Sequence, residues 1–106
     1  VDPVPPADWQ ALMDAALHAF RTPNIGRKLY GLAAEAGFSD VQVQVLASPD
    51  TEGRLLNFVH NVAGYAREGG GLDDKAIRAV VDTATEALAA GKFFAINPQF
   101  VVTATV

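Results

Sequence analysis

The chain has 106 residues, 50% of them hydrophobic and 19% charged, a balance that suits one globular domain with a single core. Its net charge is -4, with eight dispersed Lys and Arg against twelve Asp and Glu. Nucleic acid is thereby excluded as a partner, because affinity for a phosphate backbone rests on clustered cations.

The elements follow in chain order. Val1 to Pro6 is punctuated by prolines, which fix φ and lack a donor, so it reads as a connector. Asp8 is placed to cap a first helix, in which Trp9, Leu12, Met13, Ala16, Leu17 and Phe20 recur at helical spacing before Pro23. Asn24 starts a second helix with Ile25, Leu29, Leu32, Ala33 and Ala36 as its buried stripe. Gly37 suits the left-handed stop after it.

From Val41 the period changes to two. Val41, Val43 and Val45 face one way and Gln42 and Gln44 the other, a strand that ends at Ser48-Pro49-Asp50. Asp50 or Thr51 can cap a third helix reaching to about Glu68, with Leu55, Val59, Val62 and Ala66 as its stripe and Phe58 and Tyr65 on its flank. Gly69-Gly70-Gly71 is a flexible joint. A fourth helix starts at Asp73, with Leu72 stapled on Ile77, buries Ile77, Val80, Val81, Ala84 and Leu88, and closes at Gly91. The closing segment alternates again and is expected to be a strand interrupted by a bulge at Asn97-Pro98.

Two strands are too few for a stable sheet unless helices cover them, and a lone pair leaves both its edges open. The run "NIGRKLYGLAAEAGFSDVQVQV" at 24–45 and the ending "GKFFAINPQFVVTATV" at 91–106 resemble the last third of class I S-adenosylmethionine-dependent methyltransferases. The likeness is to their small-molecule, ubiquinone/menaquinone-biosynthesis-like group. In that family the first phrase is the helix after the fifth strand plus the sixth strand, and the second is the seventh strand. The resemblance covers residues 1–47 and 91–106, and the helical pair between them matches in position and general character. Val1-Asp2 followed by "PVPPADW" resembles the tip of the fifth strand and the loop leaving it.

The resemblance implies an α+β fragment of an α/β Rossmann-like fold, with an antiparallel strand pair, Val41–Ala47 with about Phe93–Val106, and about four helices. It divides the chain into a connector and helix (1–23), a helix–strand unit (24–47), a helical insertion (48–92) and a terminal strand (93–106). Ligands of open α/β sheets bind outside the carboxyl ends of the strands. Residues 2–23 and 48–92 leave from that edge and would roof the reaction site, holding a small-molecule substrate and excluding water. The parent reaction would be methyl transfer by direct displacement at the sulfonium carbon of S-adenosylmethionine.

The cofactor loop of the family, of the form D-x-G-x-G-x-G between a strand and a helix, has no counterpart here. Gly69-Gly70-Gly71 follows a helix and leads into Asp73-Asp74. The chain alone is therefore expected to bind no S-adenosylmethionine and to be inactive. Its expected partners are the missing N-terminal cofactor-binding half, the substrate, and other copies of itself through its unpaired strand edge. The expected location is cytoplasmic. The chain opens on Val1 without a charged-then-apolar leader, as a processed or excised piece would.

Five residues are candidates for a substrate pocket: Trp9, His18, Phe58, His60 and Tyr65. Phe58, Tyr65 and Trp9 could line an apolar cavity or simply pack as core. His18, between Asp14 and Arg21, suits a solvated face, or could take a proton near neutral pH. His60 borders the greasy face of the third helix and reads as structural. Arg27 and Lys28 open the second helix, where the dipole disfavours cations, and Arg27 is expected in a structural ion pair. With His18 and His60 far apart and no cysteine, no metal cage is expected. No apolar run approaches the ~20 residues that cross a bilayer. The rival to a methyltransferase segment is a free-standing small-ligand-binding or dimerisation module.

Overall fold

A computed structural model describes all of Val1–Val106. The fold is α+β: α1 (Pro6–Leu17), α2 (Ile25–Glu35), β1 (Ser39–Leu46), β2 (Pro49–Asp50), α3 (Leu56–Gly69), α4 (Asp74–Ala89), β3 (Ala95–Ile96) and β4 (Gln99–Thr105). The chain forms two compact units, Val1–Arg21 with Pro49–Ile96, and Thr22–Ser48 with Asn97–Val106.

In the first unit α1, α3 and α4 pack on one another. Pro6 occupies the first helical position of α1, where its missing N–H would have had no intrahelical acceptor. Asp8, expected as the cap, sits instead in the first turn, because Pro5 already holds the capping position. The helix also ends sooner than the apolar spacing to Phe20 implied. His18, Ala19 and Phe20 continue it only as tight turns, donating to the carbonyls of Ala15, Ala16 and Leu17. At α4 the Asp73 carboxylate accepts from the Ala76 N–H at 2.8 Å, as a cap should. Gly91, at φ +70°, closes α4 with Gly91 N–H on the Leu88 carbonyl and Lys92 N–H on that of Ala87.

The core lies between these helices. Leu12, Ala15 and Ala16 of α1 meet Val59, Val62, Ala63 and Ala66 of α3 and Ile77, Val80, Ala84 and Ala87 of α4 in one buried cluster, completed by Val4, Phe93 and Ala95. The stripes expected for α3 and α4 are the faces they bury, with Leu55, Val81 and Leu88 half-buried at the margin. β2 pairs antiparallel with β3 (Pro49↔Ile96, Asp50↔Ala95). On the other side, Asp2 exchanges two hydrogen bonds with Phe94, N–H to carbonyl at 2.7 Å and carbonyl to N–H at 3.2 Å.

In the second unit β1 and β4 form an antiparallel ribbon running from Ser39↔Thr105 to Leu46↔Gln99, with α2 against both strands. Val43 faces Val102 and Val45 faces Phe100, while Gln44 lies opposite Val101 and Gln42 opposite Thr103, so the expected alternation holds in both strands. The expected bulge does not lie at Asn97-Pro98. There the terminal strand stops and exchanges partners, β3 belonging to β2 and β4 to β1, since Pro98 has no N–H to offer a ladder. The irregularity lies instead between Ser39 and Gln42. Asp40, at φ +50°, supplies the left-handed residue such a bulge uses, a conformation Asp tolerates better than most.

The end of α2 matches expectation. Gly37 takes φ +91°, its N–H bonds the Ala34 carbonyl, and Phe38 N–H bonds that of Ala33. Its buried stripe does not. No residue of α2 is buried, and Ile25, Leu29 and Leu32 are all more than two-fifths exposed. The reason is width: two strands about 5 Å apart are narrower than a helix about 10 Å across, and cannot cover its apolar face. Loss of stability should follow this division. Ile77→Ala is expected to cost about 2–5 kcal/mol in urea unfolding, and Leu29→Ala about 1 kcal/mol or less. Equal losses would contradict it.

Candidate functional site

All five candidate residues fall in the first unit. Trp9 on α1 and Phe58 on α3 are half-buried and pack against the core cluster. Tyr65, two turns on from Phe58, is exposed and tilts against Phe20 with ring centroids 4.7 Å apart. His60 occupies an exposed position on α3, and His18 is the exposed C-cap residue of α1. The structure thus joins Tyr65 to Phe20, a pairing that the spacing within each helix could not show. No hydrogen bond or ion pair links the two histidines to the aromatic residues.

Small residues set how close α1 and α3 approach. A Cβ built on Gly69 would collide with the Ala15 carbonyl oxygen and come to 3.1 Å from the Cβ of His18, whereas one on Gly64 of the same helix meets nothing. Gly69 thus belongs to the helix contact as well as to the glycine joint, and it holds His18 beside the end of α3. Gly69→Ala is expected to destabilise by about 1–3 kcal/mol through overpacking. Gly64→Ala should be neutral or stabilise by up to about 1 kcal/mol, because alanine is the better helix former. Thermal unfolding of the two variants measures the difference.

Asp50 is the buried charged residue of the chain. The sequence offers Asp50 or Thr51 as the cap of the third helix, but α3 begins only at Leu56 and neither holds its N-cap position, which is that of Leu55. The Asp50 carboxylate instead fixes the loop before the helix, accepting from Glu52 N–H at 3.0 Å and Leu55 N–H at 2.7 Å. Burial alone would raise its pKa. The backbone N–H groups of Leu55, Glu52, Arg54 and Gly53 outweigh burial and leave the carboxyl below its ordinary 3.8. Asp74 is also lowered, first by its hydrogen bond from Arg67 and further by the charge of Arg78, with burial opposing both. Arg67 Nε and Arg78 Nε each lie 2.8 Å from an Asp74 oxygen, tying the end of α3 to the start of α4.

A carboxyl whose folded pKa is depressed contributes stability above its unfolded pKa and loses it as pH falls through the folded value. Stability should therefore decline as pH drops below about 3.8 and on through the lower folded pKa values of Asp50 and Asp74. Asp50→Asn should flatten that decline. An unchanged slope in thermal midpoint against pH would contradict the role given to Asp50.

Clefts exist in both units. One in the first unit, of about 170 Å³, is lined by Asp8, Ala11, Leu72, Ala76 and Ala79. Another in the second unit, of about 380 Å³, is lined by Gly26, Arg27 and Tyr30 from α2 and by Val43, Phe100 and Val102 from the ribbon. None of the five candidate residues lines either. Tyr30 was missed because it lies off the apolar stripe of α2. Arg27, expected in a structural pair, joins none of the ion pairs, which are Arg54–Glu52, Arg67–Asp74 and Arg78–Asp74. Asn24 holds the N-cap position of α2 at φ +64°, and its side chain makes no capping hydrogen bond. No group of three or more His, Asp and Glu side chains is arranged to hold a metal ion. No helix is long and apolar enough to cross a membrane. Compared with protein-family models, curated proteins and solved structures, the chain matches none.

Proposed function

We propose that this chain is the carboxy-terminal, substrate-capping part of an S-adenosylmethionine-dependent small-molecule methyltransferase, whose cofactor-binding half is a separate stretch of protein. The observation that carries the reading is the unequal burial of the two units. The two phrases that resemble the family's last strands and helix fall mainly on the second unit, as adjacent antiparallel strands with a helix against them. That unit buries no residue at all. It holds 37 residues, 27 in Thr22–Ser48 and 10 in Asn97–Val106. Units below about 40 residues ordinarily need a disulfide, a metal or a partner to fold. The unit has neither a cysteine nor a cluster of metal-ligating side chains, and a covering partner would supply what it lacks.

The first unit gathers the connector and the helical insertion, which would form the roof over the substrate, and it has a core of its own. The Asp2–Phe94 bridge adds support: a fifth-strand tip at Val1-Asp2 would lie beside the start of the terminal strand. The substrate would meet the roof along its exposed aromatic surface, where Tyr65 and Phe20 stand together.

The residues present do not fit S-adenosylmethionine. Gly70 and Gly71 have positive φ but link α3 to α4, and no glycine-rich turn joins a strand to a helix. Calorimetry of the chain with S-adenosylmethionine is accordingly expected to show no heat of binding, and saturable micromolar binding would overturn the assignment. The self-contained core of the first unit favours a second reading, a free-standing ligand-binding or dimerisation module. The coding sequence upstream of Val1 separates the two. About 130–180 residues containing a strand, a G-x-G-x-G turn and a helix are expected for the methyltransferase, and a stop codon there would favour the module.

A further inference from the structure

We infer that a second copy of this chain pairs along the free edge of β1, antiparallel and two-fold about Gln44, joining two ribbons into one four-stranded sheet. β1 has β4 on one side and no strand on the other. Edge strands are usually blunted by a charge, a proline or a bulge. In β1 the one charge and the bulge both fall at Asp40–Val41, leaving Gln42–Leu46 regular, uncharged and free of proline. A two-fold about Gln44 sets Val43 against the partner's Val45 on one face and Gln44 against the partner's Gln44 on the other, with Gln42 opposite the partner's Leu46 beside that central pair.

Charge favours a copy of the chain over a charged partner. The second unit carries Arg27, Lys28, Glu35 and Asp40, which cancel, so the whole net charge of -4 resides in the first unit. Copies can therefore meet at the second unit without local repulsion. Pairing also widens the ribbon, the deficit that leaves Ile25, Leu29 and Leu32 uncovered. The choice of β1 over the free edge of β4 rests on the proposed function, in which the fifth-strand tip at Val1-Asp2 lies beside the terminal strand and the larger sheet would continue on that side.

Sedimentation velocity on the full chain tests this. Wild type is expected to show a concentration-dependent dimer. Gln44→Lys and Gln44→Glu should each weaken it by about fivefold or more, by placing like charges opposite across the two-fold. An equimolar mixture of the two variants should restore it. Gln44 is exposed, so circular dichroism should show both variants folded. A monomeric wild type, or a Gln44→Lys variant that associates like wild type, overturns the inference. Loss of the dimer in Thr103→Lys but not in Gln44→Lys assigns the interface to β4, overturning the choice of β1. None of these outcomes depends on whether the chain binds a methyl donor, so this inference and the proposed function can fail separately.

Discussion

Close approach of α1, α3 and α4 is the constraint on which the rest depends. Half of the fourteen buried apolar residues are alanines. Alanine buries little area, so such a core gains its stability from backbones that come near enough for many short contacts. Gly69 is the extreme case, where the Ala15 carbonyl leaves no room even for a methyl group. An alanine-rich contact tolerates loss of volume poorly at its few large residues, Leu12, Val59 and Ile77, and tolerates added volume poorly elsewhere. The loop held by Asp50 leads directly into α3, which explains a buried carboxylate beside an otherwise apolar core.

Local chemistry was legible in the sequence where it is self-contained. Asp73 as a cap, Gly37 and Gly91 as left-handed stops, and the alternation over Gln42–Val45 each depend on a few neighbouring residues, and each stands in the structure. What could not be read is what covers a face. The stripes of α2 and α4 have the same spacing, yet Ile77 is buried and Leu29 is not, because periodicity marks which side is apolar and says nothing of what lies against it. The bulge was misplaced for a related reason. Proline at 98 signals an interruption, but whether a ladder bends or changes partner is decided by the strand across from it.

The candidate site was legible by residue type more than by arrangement. Trp9 and Phe58 flank the core, as half-buried aromatics on amphipathic helices do. Tyr65 owes its significance to Phe20, a neighbour beyond the end of α1 that no spacing rule within one helix identifies. His18 and His60 occupy exposed positions, and neither meets a carboxylate that would set it up for proton transfer.

The unequal burial of the two units also bears on how each is kept in water. The first carries the excess negative charge and its ion pairs, Arg67 and Arg78 on Asp74 and Arg54 on Glu52, around a closed core. Such a surface repels its own copies and disfavours association. The second is neutral, and its strands from Val41 to Ser48 and from Gln99 to Val106 contain no charge at all. A ribbon of that composition, left in solvent, has the hallmarks of an association-prone segment. Its lack of any blunting residue beyond Asp40 is costly for a permanently exposed edge and costs nothing for one that is covered. The charge pattern and the burial pattern thus coincide: the neutral ribbon and α2 are also the part of the chain that buries no residue.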